Sequence, residues 1–224
     1  MITKYKYVFL IAVLAVFGLD FANAQEQKEE GKKDNEKLYR QLEFFNLRGT
    51  NAVDMAIGAS LITGDFPQPE ADIYFKIGYK RFITEQIGIS FTYNKYNLAF
   101  NDAFHQGFMS FDLNLEYLIS PYTSISPFIY GGYGYNADND FETTGAKVQG
   151  GLGIEFVPLD KVGIKLFGEY NYVTSNEANP IIMEESNISF FRVGIGVNLY
   201  FGGGKKKEKL LEEVDTVIKS NYIK

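Results

Sequence analysis

The chain has 224 residues, 46% hydrophobic and 22% charged, with 20 Phe, 16 Tyr and 22 Gly but no Trp and no Cys; that is ample for one domain with a sizeable core and crowded for two. Without cysteine there is no disulfide framework, no thiolate metal site and no thiol to carry a lipid anchor, so packing and hydrogen bonds supply the stability. A formal net charge of −6 repels polyphosphate, which argues against nucleic acid as a partner.

Residues 1–24 read as a secretory signal peptide: Lys4 and Lys6 precede the apolar run from Val8 to Leu19, and Ala22-Asn23-Ala24 offers small residues before Gln25. Residues 25–50 read as a periplasmic arm. Within it Gln25 to Lys37 is almost wholly polar and is expected to be a disordered linker, whereas Leu38, Leu42 and Phe45 fall at helical spacing and suit a short amphipathic turn or two. No later stretch reaches the roughly 18 apolar residues of a membrane helix. A membrane barrel remains open.

From about Asn51 to Phe201 the apolar period becomes two, and eight segments follow: 52–61, 71–83, 86–97, 107–119, 125–136, 145–157, 162–173 and 188–201. In the second, Ile73, Phe75, Ile77 and Tyr79 alternate with Asp72, Tyr74, Lys76, Gly78 and Lys80. In the eighth, Phe191, Val193, Ile195, Val197, Leu199 and Phe201 alternate with Arg192, Gly194, Gly196, Asn198 and Tyr200. One face is greasy and the other polar.

A soluble sandwich alternates too, so the choice of a lipid-facing barrel rests on three further features. The connections alternate in length: 84–85, 120–124 and 158–161 are tight, while 62–70, 98–106, 137–144 and 174–187 are long. Aromatic residues crowd the strand ends (Tyr79, Phe82, Tyr93, Tyr96, Tyr117, Tyr122, Tyr133, Tyr135, Tyr170, Tyr172, Tyr200 and Phe201), as an interfacial belt requires. An even strand count returns both chain ends to the short-turn side, which in a secreted Gram-negative protein is the periplasm. The expected architecture is therefore all-β, an eight-stranded antiparallel up-and-down transmembrane β-barrel over 51–203. A C-terminal tail, 204–224, follows a glycine hinge at Gly202-Gly203-Gly204 and carries Leu210, Leu211, Val214, Val217 and Ile218 at the spacing of an amphipathic, partner-docking helix.

By parity the polar face holds Asp54, Asp72, Asp112, Glu116, Glu155 and Glu169 against Lys76, Lys80, Lys147, Lys165 and Arg192. Eight strands leave room only for side chains, so these charges are expected to pair across a sealed lumen; a narrow pore is the alternative. Glycine runs such as Gly150-Gly151-Leu152-Gly153 superficially resemble nucleotide-binding turns. They lie inside strands, where no helix N-terminus receives phosphate, and glycine there makes room for large neighbours.

Nothing points to catalysis. His105, the lone histidine, is placed in the loop after the third strand near Asp102, while parity turns Ser110 into the lumen; a lipid-modifying hydrolase would need the two within reach of each other. The acids of Asp138-Asn139-Asp140-Phe141-Glu142 lack the turn glycine and downstream Glu of a calcium loop, so no metal and no cofactor are expected. Ile181, Ile182 and Met183 in the longest loop offer an apolar partner surface.

The chain as a whole resembles the eight-stranded outer-membrane β-barrel family, and Gly196, Leu199 and Phe201 in its last strand look like the glycine-plus-aromatic signal read by the barrel-assembly machinery. A narrower similarity rests on Asn46-Leu47-Arg48-Gly49-Thr50, Ile77-Gly78-Tyr79-Lys80-Arg81, Gly107 to Tyr117 and Lys147 to Gly153. These runs resemble a barrel segment that accompanies curli-type secretion channel proteins in Bacteroidota; the channel-forming domain itself is absent. The resemblance implies a non-enzymatic accessory, anchor or scaffold in outer-membrane assembly or secretion. Its partners would be outer-membrane lipid, the assembly machinery and a curli-type channel or another envelope protein.

Overall fold

The computed structural model describes residues 30–63, 68–100, 104–139, 141, 144–175 and 188–221; the signal-peptide reading of 1–24 and the apolar loop surface at Ile181, Ile182 and Met183 lie outside them. Two compact units divide the chain, Met1–Glu36 and Lys37–Lys224, and the barrel belongs to the second. Helix α1 (Glu30–Leu47) leads into eight strands: β1 (Asn51–Thr63), β2 (Pro69–Phe82), β3 (Ile87–Phe100), β4 (Phe104–Leu118), β5 (Ile125–Asp138), β6 (Thr144–Leu159), β7 (Val162–Ser175) and β8 (Ile188–Phe201). Helix α2 (Gly204–Asn221) follows.

Each strand pairs antiparallel with its sequence neighbour, and β8 closes on β1 from Asn51↔Phe201 to Thr63↔Ser189. Closure leaves no edge with unpaired N–H and C=O groups, which a hydrocarbon environment would not tolerate. The register is strongly staggered. Followed around the barrel from Ala52 through Lys80, Ser90, Asn114, Gly132, Gln149, Asn171 and Phe190, it returns to β1 at Ile62, ten residues further on. That stagger tilts the strands and fixes which side chains share a level of the lumen.

The two faces separate by parity. Ile57, Ile73, Leu113, Leu152, Leu166 and Ile195 are exposed on the outside, while Asp54, Lys76, Asp112, Lys147, Glu169 and Arg192 are buried inside. The distribution is that of a protein whose outer solvent is apolar.

Strand ends differ from the sequence expectation. The ladders run to Thr63↔Ser189, Phe100↔Phe104 and Ala137↔Thr144, so three of the four expected long loops shrink to 64–68, 101–103 and 139–143; only 176–187 remains long. Continued pairing satisfies backbone groups that hydrophobic periodicity does not register. Three aromatics expected in the belt are inside instead: Phe82, Tyr96 and Tyr200 are buried, whereas Tyr79, Tyr133, Tyr135, Tyr170, Tyr172 and Phe201 are exposed outward.

The residues leading into the barrel also depart from expectation. The helix already begins at Glu30, within the stretch expected to be a disordered linker, and its strong helix formers Glu36, Lys37, Leu38, Arg40, Gln41, Leu42 and Glu43 favour that state. Leu42, Phe44 and Phe45 are buried on its inner face. Gly202 and Gly203, expected to be a flexible hinge, form a packed turn with φ of 74° and 89°, a region L side chains rarely adopt. A Cβ on Gly203 would stand 2.8 Å from Phe45 Cδ1.

Candidate functional site: a braced lumen with a plugged mouth

The short-turn end of the barrel is closed by α1. The Phe44 ring meets Phe45 and Phe82 edge-on at 5.3 and 5.4 Å, and Phe82 lies 6.2 Å from Tyr200, giving an aromatic floor across the mouth. The helix terminus is held from outside by Lys161, in the β6–β7 turn. Its backbone N–H donates to Leu47 O at 2.9 Å and its ammonium donates to Phe45 O and Arg48 O, so a cation caps the negative end of α1. Burial and the adjacent Lys207 hold the Lys161 ammonium below the usual lysine range, against the opposing pull of Asp160.

Directly after α1, Arg48 turns into the barrel. Nε donates to Glu155 Oε2 at 2.9 Å, and Nη1 donates to Pro121 O at 2.8 Å and Thr123 O at 3.1 Å in the β4–β5 turn. Glu155 also accepts from Asn198 Nδ2 at 2.6 Å and from the Tyr200 hydroxyl. Above this layer, Lys80 Nζ pairs with Glu116 Oε1 at 2.5 Å. Asp54 accepts from Lys165 and stands 3.4 Å from Lys76 Nζ, which also lies 4.9 Å from the Phe167 ring centroid.

The next layer centres on Arg192 and Asp112. Arg192 Nε donates to Glu169 Oε1 at 2.8 Å, and its Nη2 donates to Asp112 Oδ2 and Asn171 Oδ1, each at 3.0 Å. Asp112 Oδ2 also accepts from Lys147 Nζ at 2.7 Å and Asn94 Nδ2 at 2.9 Å, and the Tyr130 hydroxyl donates to Glu169 Oε2 at 2.8 Å. The Arg192 guanidinium sits 4.8 Å from the Tyr74 ring centroid and 5.4 Å from that of Tyr96. The Arg192–Asp112 pair joins β8 to β4, across the barrel rather than between neighbouring strands.

Ten of the eleven charges assigned to the polar face thus meet inside the barrel. Asp72 stands apart at the long-loop rim, half-exposed, where Oδ2 lies 2.5 Å from His105 Nε2 and Oδ1 accepts from Asn97 Nδ2 at 3.4 Å. Sequence reasoning gave Arg48, Asn94, Tyr130 and Asn171 no part in the lumen, placed Asn198 on the polar face without a partner, and put Tyr200 in the interfacial belt. Parity flags all of these but Arg48, which lies outside any alternating segment.

His105 belongs to β4, not to the loop expected for it. It is exposed, whereas Ser110 is buried and accepts from Lys147 Nζ at 3.0 Å, so the two are not brought together. Asp138 ends β5 and lies 3.4 Å from Gln106 Nε2; Asp140 and Glu142 lie outside the described residues, among which no His, Cys, Asp or Glu cluster suits a metal ion. Lumen glycines clear space for rings: a Cβ on Gly151 would meet Tyr130 Cζ at 2.4 Å, and one on Gly153 would meet Phe128 Cζ at 2.6 Å.

In the last strand Leu199 and Phe201 are exposed outward, while Gly196 faces in beside Lys165. In α2, Leu210 packs half-buried against the core, Val214 is half-buried and Leu211 is exposed; Val217 and Ile218 lie on the helix with side chains outside the described residues.

No family model matches the chain, and no curated protein is significantly similar to it in sequence. Among solved structures it is similar to Neisserial surface protein A, with a TM-score of 0.58 at 14% identity, covering 68% of this chain and 98% of that one. The N-terminal β-barrel domain of OprF from Pseudomonas aeruginosa aligns with a TM-score of 0.42 at 12% identity, over 67% of this chain and 98% of that one. Ail, the attachment invasion locus protein of Yersinia pestis, aligns with 0.44 at 13%, over 67% and 99%. The first likeness gives the class by fold: this chain is built as an eight-stranded barrel of the outer-membrane type.

Proposed function

We propose that this protein is a closed outer-membrane barrel, non-enzymatic, that anchors and scaffolds envelope assembly or secretion through the segments at its two ends. The observation that carries this reading is the Arg48–Glu155 plug beneath the Arg192–Asp112 cross-brace. Side chains crossing the lumen suit a rigid mount. The exposed apolar outer face supports lipid as its surroundings, and both helices, at the short-turn end, are the surfaces it offers on the periplasmic side. The sequence resemblance to barrels accompanying curli-type secretion channels supports an accessory role in such a system, with Leu199 and Phe201 presented to the assembly machinery.

Reconstitution into planar bilayers tests closure: the intact chain is expected to give no steady conductance, and regular single-channel steps would favour the narrow-pore reading instead. Cross-linking in intact cells, followed by mild-detergent capture through a tag in the 176–187 loop, tests the accessory role. Recovery of a secretion channel or fibre subunit, lost on deletion of 205–224, is the expected result.

A further inference from the structure

We infer that the first turns of α2 form an electrostatic foot, by which this end of the barrel docks onto anionic phospholipid headgroups of the leaflet it faces. The inference rests on the membrane-embedded reading of the barrel and adds a lipid class to it.

Four lysines, Lys205, Lys206, Lys207 and Lys209, fall within the first six residues of α2, with Glu208 the sole acid among them. Lys205, Lys206 and Lys209 are exposed. For the helix itself this arrangement is unfavourable, because cations at the positive end of a helix dipole destabilise it and no acid occupies the first turn. The acids Glu212, Glu213 and Asp215 come later, with Lys219 as the one base among them, so charge is biased along the axis, basic beside the barrel and net acidic beyond it. An anionic surface at barrel level attracts the first group and repels the second.

The neighbouring wall marks that level. The exposed rings of Tyr79 and Phe201 lie 6.2 Å apart, where amphipathic and aromatic side chains settle at the headgroups. In the same cross-strand row, Arg81 is exposed and pairs in register with Asn51, which pairs with Phe201 on its other side. Lys205 follows Phe201 by four residues. The path between them is short: Gly202 and Gly203 form a packed turn, Lys207 N donates to Gly203 O at 2.9 Å, and Leu210 packs against the core, so the first turns of α2 stay at the end of the barrel that carries these rings. Leu211, exposed one residue after Leu210, adds an apolar contact to the same segment.

The test uses the full chain in nanodiscs of neutral phosphatidylcholine, or of the same lipid with about a third phosphatidylglycerol. The protein has no cysteine, so Leu211→Cys gives a unique nitroxide site on α2 and Leu113→Cys a second one on the lipid-facing wall. The Leu113→Cys label is expected to report hydrocarbon in both discs; if it reports water, the embedded reading fails and this proposal with it. The Leu211→Cys label, on a helix already tied to the core through Leu210, is expected to be slowed further in the anionic disc than in the neutral one, and 0.5 M NaCl is expected to abolish the difference. Each lysine removed is expected to lower the bound-to-free ratio roughly fivefold, so Lys205→Gln with Lys206→Gln and Lys209→Gln lowers it about a hundredfold, whereas the three Lys→Arg changes preserve it. Glutamine keeps helix propensity, so release by that variant is not unfolding. A Leu211→Cys spectrum indifferent to lipid charge, salt and these substitutions, with the wall label in hydrocarbon, overturns the proposal and leaves the embedded reading standing.

Discussion

Arg48, the first residue after α1, donates through Nε to Glu155 Oε2 of β6 at 2.9 Å, with both side chains buried. One ion pair therefore joins the plug helix to the far side of the barrel that it closes. Arg48→Ala takes the paired cation from a buried carboxylate and leaves it the Asn198 and Tyr200 donors, and a loss of about 3–5 kcal/mol is expected, read as a lower urea midpoint for the chain refolded in vesicles. Arg48→Met combined with Glu155→Gln, which removes both charges while keeping an acceptor for Asn198 and Tyr200, is expected to recover most of it. A double variant as unstable as the single one would mean that the pair does not act as a unit.

Asp112 is shared by Lys147 and Arg192, so Asp112→Asn takes the carboxylate from a buried Lys147, which keeps only the Ser110 hydroxyl among the described residues, and leaves Arg192 to Glu169. The expected cost is again about 3–5 kcal/mol. Lys37→Gln, on the exposed face of α1, is expected to stay within about 0.5 kcal/mol. Equal midpoints for the two variants would show that the brace is redundant.

On the outer wall, Leu113→Arg places a cation where the structure exposes an apolar belt. A loss of roughly 2–4 kcal/mol is expected in lipid if Leu113 lies near the midplane, and a value near zero would put this band of the wall at the interface.

Glycines separate by what surrounds them. A Cβ on Gly58 would stand 1.9 Å from Val193 O in the β1–β8 seam, whereas Gly168 has nothing within 4 Å. Gly58→Ala is therefore expected to cost about 1–3 kcal/mol through strand displacement. Gly168→Ala is expected to be neutral, or stabilising by roughly 0.5 kcal/mol, through the unfolded chain. Thermal shifts of opposite sign or clearly different size would check this.

Lys161 titrates below the ordinary lysine range, so in the window between its folded and unfolded values the unfolded chain holds more protons. Its contribution to stability is present above the unfolded value and is lost as pH falls through the folded one. Lys207→Ala removes a like charge beside it, and an NMR titration of the Lys161 side chain is expected to move upward, narrowing that window.

The alternation of Ile73, Phe75 and Ile77 with Tyr74, Lys76 and Gly78, repeated in eight segments, determined eight strands with two faces each, because period-two side chains leave a strand only two surfaces; the barrel needed the connection lengths, the aromatic strand ends and the even strand count as well. The alternation placed Asp112 and Arg192 on one face without saying that they meet. That meeting, 80 residues apart in sequence, follows from the ten-residue stagger of closure, which sets the level of each side chain and is absent from any local pattern. Phe82, Tyr96 and Tyr200 entered the lumen because parity, not proximity to a strand end, decides which way a ring points. The plug likewise belongs to the tertiary structure alone: helix propensity favours α1, but only the closed mouth offers Phe44, Phe45 and Arg48 the aromatic floor and the buried carboxylate that hold them there.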